Sequence, residues 1–121
     1  MHSDKLLDHF ENPRNVGKLD APAIEVEVSN PACGDILVLT ALVTDGRFAD
    51  VRYQVRGCTA AIAAGSALTE LLVGAPFVGV EALTRDDLDA ALGGLRNESK
   101  HVAALAVDGA KALLAAARQA R

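Results

Sequence analysis

Residues 36–56, ILVLTALVTDGRFADVRYQVR, decide the fold of this 121-residue chain. Residues 36–43 are nearly all apolar, Asp45-Gly46 follows, and residues 51–56 alternate between apolar and polar side chains. A period of two is typical of a strand with one solvent-facing side, and an Asp-Gly pair between two such runs is typical of a hairpin turn. The stretch therefore predicts two antiparallel strands.

A third strand is predicted before the hairpin, because Ile24, Val26 and Val28 alternate with polar residues and Pro31 ends the run. Residues 8–17 are interpreted as an irregular arm. The fold class expected is α+β, a three-stranded antiparallel sheet with helices packed on it. The predicted helices begin after Ser3 and end before Asn12, cover residues 59–73, run from Thr84 to Gly93-Gly94, and cover residues 99–118.

Composition limits the function classes. The chain is 50% apolar and 3% aromatic with a net charge of −4, which fits one domain over residues 1–121 with a real core. The low aromatic content and the absence of a basic cluster argue against nucleic-acid binding. No apolar run is long enough to span a membrane, and the first residues lack an export signal, so a cytoplasmic protein is expected.

The two cysteines suggest a metal site. Cys33 lies in Pro31-Ala32-Cys33-Gly34-Asp35, where a Gly/Pro turn lets the thiol and the Asp35 carboxylate face one ion. Cys58 is predicted at the N-terminus of a helix, where the positive end of the dipole favours a thiolate. If the hairpin strands pair, the two cysteine loops lie at the same end of the sheet. The alternative is a pair of buried thiols; a disulfide is not expected in an intracellular protein.

The three histidines differ in their predicted positions. His2 is assigned to the chain terminus, and His9 lies on the first helix without an assigned chemical role. His101 falls in the first turn of the last helix, where the dipole favours the neutral ring that binds metals. The alternative for His101 is an ordinary histidine at an exposed helix end.

The chain resembles the IscU/NifU-type iron–sulfur cluster assembly scaffolds over nearly its whole length. The likeness rests on residues 8–17, DHFENPRNVG, on residues 31–35, PACGD, on Gly57-Cys58 with the alanine-rich helix after it, and on Lys100-His101. The resemblance implies the same α+β fold, of the SufE/NifU type. It also implies that Cys33, Asp35, Cys58 and His101 bind a transient [2Fe–2S] cluster or, in its absence, a zinc ion.

The chain departs from that family in two places. The family has a third cysteine directly after the histidine, as a ligand and a sulfur acceptor, and here that position is Val102. The prolyl motif that an Hsp70-type chaperone reads is replaced by Leu95-Arg96-Asn97-Glu98-Ser99. That chaperone is therefore not expected as a partner.

The first hypothesis is a scaffold without turnover of its own, which receives sulfur from a cysteine desulfurase and passes its cluster to recipient apo-proteins. Two thiolates and an imidazole suit an iron–sulfur cluster, and the carboxylate gives a more exchangeable bond. The second hypothesis is a zinc-bound sulfurtransferase partner that accepts persulfide on Cys33 or Cys58. The third is a regulatory binding module that has lost assembly.

Overall fold

The α+β architecture predicted from the sequence is confirmed in the computed structural model, which describes residues 2–120. The ends of the predicted domain, Met1 and Arg121, lie outside the described residues, and the span of a single domain stays a prediction. In chain order the elements are α1 (Asp4–Glu11), β1 (Ile24–Asn30), β2 (Asp35–Thr44), β3 (Arg47–Arg56), α2 (Thr59–Leu72), α3 (Phe77–Glu81), α4 (Arg85–Ala91), a 3₁₀ turn (Asn97–Ser99) and α5 (His101–Gln119).

The sheet has the order β1-β2-β3, with both pairs antiparallel. The hairpin turn uses Asp45 and Gly46 at φ of 52° and 73°, the positive values that a tight hairpin loop requires. A bulge between Leu42 and Val43 shifts the register, which the alternation pattern did not predict. At the other end of the hairpin Ile36 pairs with Arg56, so the two cysteine loops lie at the same sheet end, as expected.

Helix α5 covers the inner face of the sheet and contacts both β1 and β2. Leu37 and Leu39 point to this face and are 2% and 0% exposed. A Cβ on Gly109 would lie 3.0 Å from Leu37 and 3.1 Å from Leu39, so the missing side chain lets α5 approach the sheet closely. This packing fixes the start of α5, and with it His101, against the beginning of β2.

Helix α2 packs against β3 and is buried, as predicted from its apolar composition. A Cβ on Gly65 would lie 2.4 Å from the ring of Tyr53, so the ring fits where Gly65 has no side chain. The Tyr53 hydroxyl donates to the carbonyl of Ile62 at 3.2 Å. These contacts hold the N-terminus of α2 beside the end of β3.

The expected irregular arm over residues 8–17 is partly wrong, because α1 continues through Glu11. Ser3 accepts from the Leu6 N–H as predicted, which stabilises the first turn. The chain after Asn12 lies along β3 instead of forming a free loop. The N–H of Gly17 donates to Tyr53, and the N–H of Tyr53 donates to Asn15, at 2.9 and 3.0 Å.

The structure also contains two short elements that the sequence did not predict, α3 and the 3₁₀ turn before α5. Both are too short for a helical period to be visible in the sequence. Phe77 of α3 packs its ring 5.2 Å from that of Phe48, which closes the hairpin end of the core. Among the described residues, no helix has the length and apolar character needed to cross a membrane.

Candidate metal centre

The cysteine loop between β1 and β2 is a tight turn organised by Asn30. Its side-chain oxygen accepts from the N–H of Ala32 at 3.1 Å, and its carbonyl accepts from the N–H of Gly34 at 2.8 Å. Gly34 has a φ of 76°, in the left-handed region that a residue without Cβ adopts at no steric cost. The turn therefore presents Cys33 and the first residue of β2, Asp35, to one side, as the sequence predicted.

Three potential ligand atoms converge at the end of this loop. One atom each from Cys33, Asp35 and His101 lies within 4.8 Å of the others, and these three residues are called the triad below. The thiol of Cys33 donates to Asp35 Oδ2 at 3.2 Å, and His101 Nε2 lies 3.3 Å from the same oxygen. A loop, the start of a strand and the start of a helix thus contribute one group each.

The environment of the triad suits a cation. Asp35 is 4% exposed, and burying a carboxylate is unfavourable unless hydrogen bonds or a positive charge compensate it. His101 Nε2 is buried and has no hydrogen-bond partner in the described residues, although it lies within 3.3 Å of Asp35 Oδ2. The distance is short, but the alignment is not that of a hydrogen bond. A metal ion between the two groups would satisfy both.

The protonation of Cys33 depends on Asp35. The backbone N–H of Asp35 lowers the pKa of the Cys33 thiol, but desolvation and the hydrogen bond and charge of the Asp35 carboxylate outweigh it. Cys58 adds a smaller effect in the same direction, so the pKa of Cys33 is raised. A cation reverses this balance, because it attracts the thiolate and displaces the proton. Metal binding and proton release at Cys33 are therefore coupled.

The second cysteine lies beside the triad and not within it. Cys58 is the N-cap of α2 and is exposed, as Cys33 is, which contradicts the alternative of two buried thiols. Both cysteines line one open cleft of about 400 Å³. The complete lining is Cys33, Gly34, Asp35, Arg56, Gly57, Cys58, Glu98, Ser99 and His101. All four predicted ligand residues thus border the same cleft, and three of them are within reach of a single ion.

Gly57 is required by the position of Asp35. A Cβ on Gly57 would lie 2.5 Å from Asp35 Oδ1, a distance at which one of the two residues must move. The absent side chain makes room for the carboxylate beside the end of β3. The sequence showed Gly57 only as the residue before Cys58, and nothing in it indicated this contact.

Val102, at the position of the family's third cysteine, faces the core. It is 0% exposed and does not line the cleft. The side chain of Val102 therefore packs inside the domain, while the neighbouring His101 points toward Cys33 and Asp35. A side chain at residue 102 therefore lies too deep in the core to supply a fourth metal ligand in this structure.

Two charged residues at the cleft were missed as site residues in the sequence analysis. Arg56, the last residue of β3, and Glu98, in the 3₁₀ turn, both line it. Glu98 also pairs with Arg96, at 3.1 Å. The signal available for Arg56 was its position two residues before Cys58. No sequence pattern indicated Glu98, because the 3₁₀ turn itself was not predicted.

His9 has a structural role. It is 8% exposed, and its Nδ1 lies 2.8 Å from the hydroxyl of Ser66 on α2, while Nε2 lies 3.5 Å from Glu70. Burial, helped by the nearby Arg14 guanidinium, lowers the pKa of His9 against the opposing charges of Glu70 and Asp8. His9 therefore joins α1 to α2 as a neutral ring. It does not line the cleft.

The comparison with known proteins gives one family along almost the entire chain. A family model described as "NifU-like N terminal domain" matches residues 1–120. An iron-sulfur cluster assembly scaffold protein IscU of Archaeoglobus fulgidus is 44% identical over 108 residues, which cover 89% of this chain and 71% of the relative. The protein of that name from Escherichia coli is 38% identical over 118 residues, covering 94% and 91% of the two chains.

Solved structures show the same fold. The N-terminal part of a nitrogen-fixing NifU-like protein from Brucella abortus superposes with a TM-score of 0.77 at 18% identity, covering 98% of this chain and 92% of the other. A putative cluster assembly scaffold for the SUF system from Fervidobacterium islandicum superposes with a TM-score of 0.64 at 20% identity, covering 93% and 81%. At these identities the superpositions establish the fold alone.

Proposed function

Because the chain belongs to the family of NifU-like N-terminal domains, we propose that it is a scaffold on which iron and sulfide assemble into a transient [2Fe–2S] cluster. The observation that supports this most is the triad of Cys33, Asp35 and His101 in an open cleft that Cys58 also borders. The curated relatives are named as cluster assembly scaffolds. The cluster is cargo, which the protein holds and then gives up.

Each ligand proposed has a distinct part. Cys33 and Cys58 bind iron as thiolates, which are the usual ligands of iron–sulfur clusters, and His101 supplies an imidazole, as histidine does in Rieske centres. Asp35 supplies a harder oxygen ligand, which exchanges more readily than a thiolate on an iron–sulfide core. A mixed set of this kind favours release of the cluster. The open cleft gives a recipient protein access to it.

The proposal includes the partners that this chemistry needs. A cysteine desulfurase delivers the sulfur, and recipient apo-proteins take the finished cluster. The protein itself performs no turnover in this scheme, and it acts as one domain. A cytoplasmic location, and independence from an Hsp70-type chaperone, stay predictions from the sequence.

The experiment is anaerobic reconstitution of the purified chain with ferric iron and sulfide, from which a [2Fe–2S] core forms without any oxidant. A scaffold develops visible charge-transfer absorption with about two iron and two sulfide per chain. The Cys33→Ser variant loses most of this absorption, while Ser29→Ala, on the neighbouring strand β1 and outside the cleft, keeps it. Wild-type protein that stays colourless, with circular dichroism showing a folded domain, contradicts the proposal.

A zinc-bound sulfurtransferase partner is the second candidate, and the ligand set of the triad favours it. Cysteine sulfur, histidine nitrogen and carboxylate oxygen are all common zinc ligands, and zinc requires four groups in a tetrahedral arrangement. The triad provides three, and Cys58 or solvent provides the fourth. One zinc bound per chain, stable persulfide and failure to build a cluster would together favour this candidate over the scaffold.

A further inference from the structure

Glu98 and His101 lie three residues apart in one continuous helical run. The 3₁₀ turn Asn97–Ser99 ends at Lys100, whose φ of −63° and ψ of −22° are helical, and α5 begins at the next residue. The N–H of Ala103 donates to the carbonyl of Lys100 at 3.2 Å, so the turn continues into α5 without a break. Side chains three residues apart in a helical backbone are neighbours on one face. Glu98 and His101 are therefore neighbours, and both line the cleft.

A glutamate followed by a histidine at this spacing is an arrangement that binds metals. In the ferritin-like di-iron carboxylate proteins, Glu-x-x-His pairs on helices project together into the metal site. Here the four residues are Glu98-Ser99-Lys100-His101. The spacing becomes informative only because the structure shows the 3₁₀ turn, since residues three apart in an extended loop do not share a face.

A single ion bound by the triad needs a fourth ligand. The triad supplies three atoms, and zinc in protein sites is usually four-coordinate. Cys58 and Glu98 both border the cleft, and neither belongs to the group of atoms within 4.8 Å of one another. Cys58 is the N-cap of α2, and its thiol moves through one side-chain torsion only. Glu98 has three such torsions and therefore the longer reach.

The carboxylate of Glu98 is weakly held. Its side chain is 66% exposed, and Oε1 lies 3.1 Å from Nε of Arg96. That Nε has no hydrogen-bond partner in the described part of the chain, so the two groups are close without being aligned as a hydrogen bond. An exposed ion pair of this kind contributes little to stability. Glu98 can therefore leave Arg96 for a metal ion at small cost.

We propose that Glu98 is the fourth ligand of a single divalent metal ion held by Cys33, Asp35 and His101, and that Arg96 competes with the ion for its carboxylate. This inference rests on the proposed function, because it completes the site for the first ion bound. It assigns the fourth position around that ion to Glu98 in preference to Cys58 or solvent.

The charges of this ligand set suit a divalent ion in the cleft. One thiolate and two carboxylates carry one more negative charge than a divalent ion neutralises, and the guanidinium of Arg56 borders the same cleft. Oxygen ligands exchange more readily than thiolates on an iron–sulfide core. When a cluster forms, Glu98 therefore gives its position to Cys58. This exchange of ligands requires no oxidation or reduction.

The test uses Co²⁺, whose spectrum reports the geometry and the ligand atoms of its site. Tetrahedral Co²⁺ absorbs strongly in the visible region, six-coordinate Co²⁺ absorbs weakly, and each bond to a thiolate adds charge-transfer absorption in the near ultraviolet. The wild type and Glu98→Gln are titrated with Co²⁺ anaerobically. Glu81→Gln is the matched control, because Glu81 is also exposed and paired with an arginine, Arg118, but does not line the cleft.

The wild type and Glu81→Gln should give a tetrahedral spectrum with the charge-transfer intensity of one thiolate, that of Cys33. Glu98→Gln should keep the band of one thiolate and lose the tetrahedral intensity as solvent completes the coordination. Its Co²⁺ affinity should fall at least about tenfold, the smallest loss expected when a metal site loses even an indirect partner. Circular dichroism should be the same for all three proteins, since Glu98 is exposed.

Arg96 provides a second test, because it competes with the ion for Glu98. Arg96→Gln should bind Co²⁺ about threefold more tightly, which is the scale of an exposed ion pair. The double variant with Arg96→Gln and Glu98→Gln should show no such increase over Glu98→Gln, since no carboxylate is left to release. An equal increase in both backgrounds would overturn the competition.

The charge-transfer intensity of two thiolates in the wild type would make Cys58 the fourth ligand and overturn the inference. Equal Co²⁺ affinity in Glu98→Gln and Glu81→Gln would overturn it as well. Reconstitution with iron and sulfide tests the scaffold separately. A wild type that builds a cluster, but binds Co²⁺ equally well without the Glu98 carboxylate, contradicts this inference alone. A wild type that binds Co²⁺ through Glu98 but builds no cluster contradicts the proposed function.

Discussion

Gly57 leaves the space in which the carboxylate of Asp35 lies: a Cβ at residue 57 would be 2.5 Å from Asp35 Oδ1 and 2.9 Å from its Cγ. The end of β3 and the start of β2 are thus matched to each other at the candidate site. The same contact relates the two sequence segments that contain the cysteines, residues 31–35 and residues 56–59.

A Gly57→Ala substitution should therefore weaken metal binding. The added methyl group pushes the Asp35 carboxylate away from Cys33 and His101, and shifts of this kind in the support of a ligand cost about tenfold in metal affinity. Zinc titration against a chromophoric chelator measures the change. Gly79→Ala is the matched control, because its new Cβ would lie 3.6 Å from Pro76, an ordinary van der Waals distance that requires no residue to move. Equal zinc affinity in the two variants would contradict the prediction.

Stability should fall in mild acid because of His9. Burial lowers the pKa of His9 in the folded protein below the ordinary value of 6.5. Above pH 6.5 both states hold the neutral ring and the stability is complete; as the pH falls from there through the lowered pKa, the unfolded state takes up the proton first and stability is lost.

Urea unfolding at a series of pH values measures this effect of His9. The midpoint of the wild type should drop more steeply below pH 6.5 than that of His9→Asn, which cannot be protonated there. The variant is expected to be less stable at neutral pH, since it loses the contact of His9 with Ser66. Parallel curves for the two proteins would show that His9 does not titrate on unfolding.

A cysteine placed at residue 102 should be hidden. Val102 is 0% exposed, so the thiol of Val102→Cys lies in the core and should react with iodoacetamide far more slowly than Cys33 and Cys58 in the native protein. The smaller side chain should cost about 1 kcal/mol of stability. Zinc affinity should not rise. Rapid alkylation at residue 102 without unfolding would show that the start of α5 rearranges to expose it.

The loss of the imidazole should weaken metal binding without unfolding the domain. His101 is the first residue of α5 and is not among the buried residues by which this helix packs on the sheet. It supplies one of the three potential ligand atoms of the triad. His101→Ala should reduce zinc affinity by more than about 100-fold. Lys100→Ala, whose side chain pairs with Asp89 and does not line the cleft, should bind as the wild type does. Unchanged affinity in His101→Ala with intact circular dichroism would remove His101 from the ligand set.

Asp35 should govern how readily the cluster leaves. A carboxylate is a harder ligand than a thiolate for an iron–sulfide core, so Asp35→Ala should hold its cluster longer and transfer it about tenfold more slowly. The disappearance of the scaffold spectrum on addition of an apo-ferredoxin gives the rate. Transfer as fast as in the wild type would show that Asp35 is not the exchangeable ligand.

The sheet and the long helices were predictable because their patterns are repetitive. Alternation in β1 and β3, the Asp45-Gly46 turn and the apolar stripe of α5 each repeat a signal over several residues. The bulge at Leu42 and Val43 breaks such a pattern at a single point. The helix α3 is shorter than two helical turns. Neither the bulge nor α3 could therefore be predicted from a periodic pattern in the sequence.

The location of the candidate site could be predicted from the order and pairing of the strands. The contacts between its side chains could not. Pairing of β2 with β3 was enough to bring Cys33 and Cys58 to one end of the sheet. The exclusion of Cys58 from the triad and the contact between Gly57 and Asp35 depend on side-chain positions that no local pattern encodes. Residues 8–17 carry a motif that is easily recognised in the sequence, but their contacts are structural. They hold α1 and the chain after it against α2 and β3.

The most direct test of the scaffold is cluster transfer by the wild-type chain. The protein is reconstituted anaerobically, freed of unbound iron and sulfide by gel filtration, and mixed with an apo-ferredoxin in the presence of a chelator that traps free iron. If the protein is a scaffold, the ferredoxin gains its characteristic spectrum as the scaffold loses its own, and the chelator stays unloaded. Iron that passes to the chelator while the ferredoxin stays colourless would contradict it.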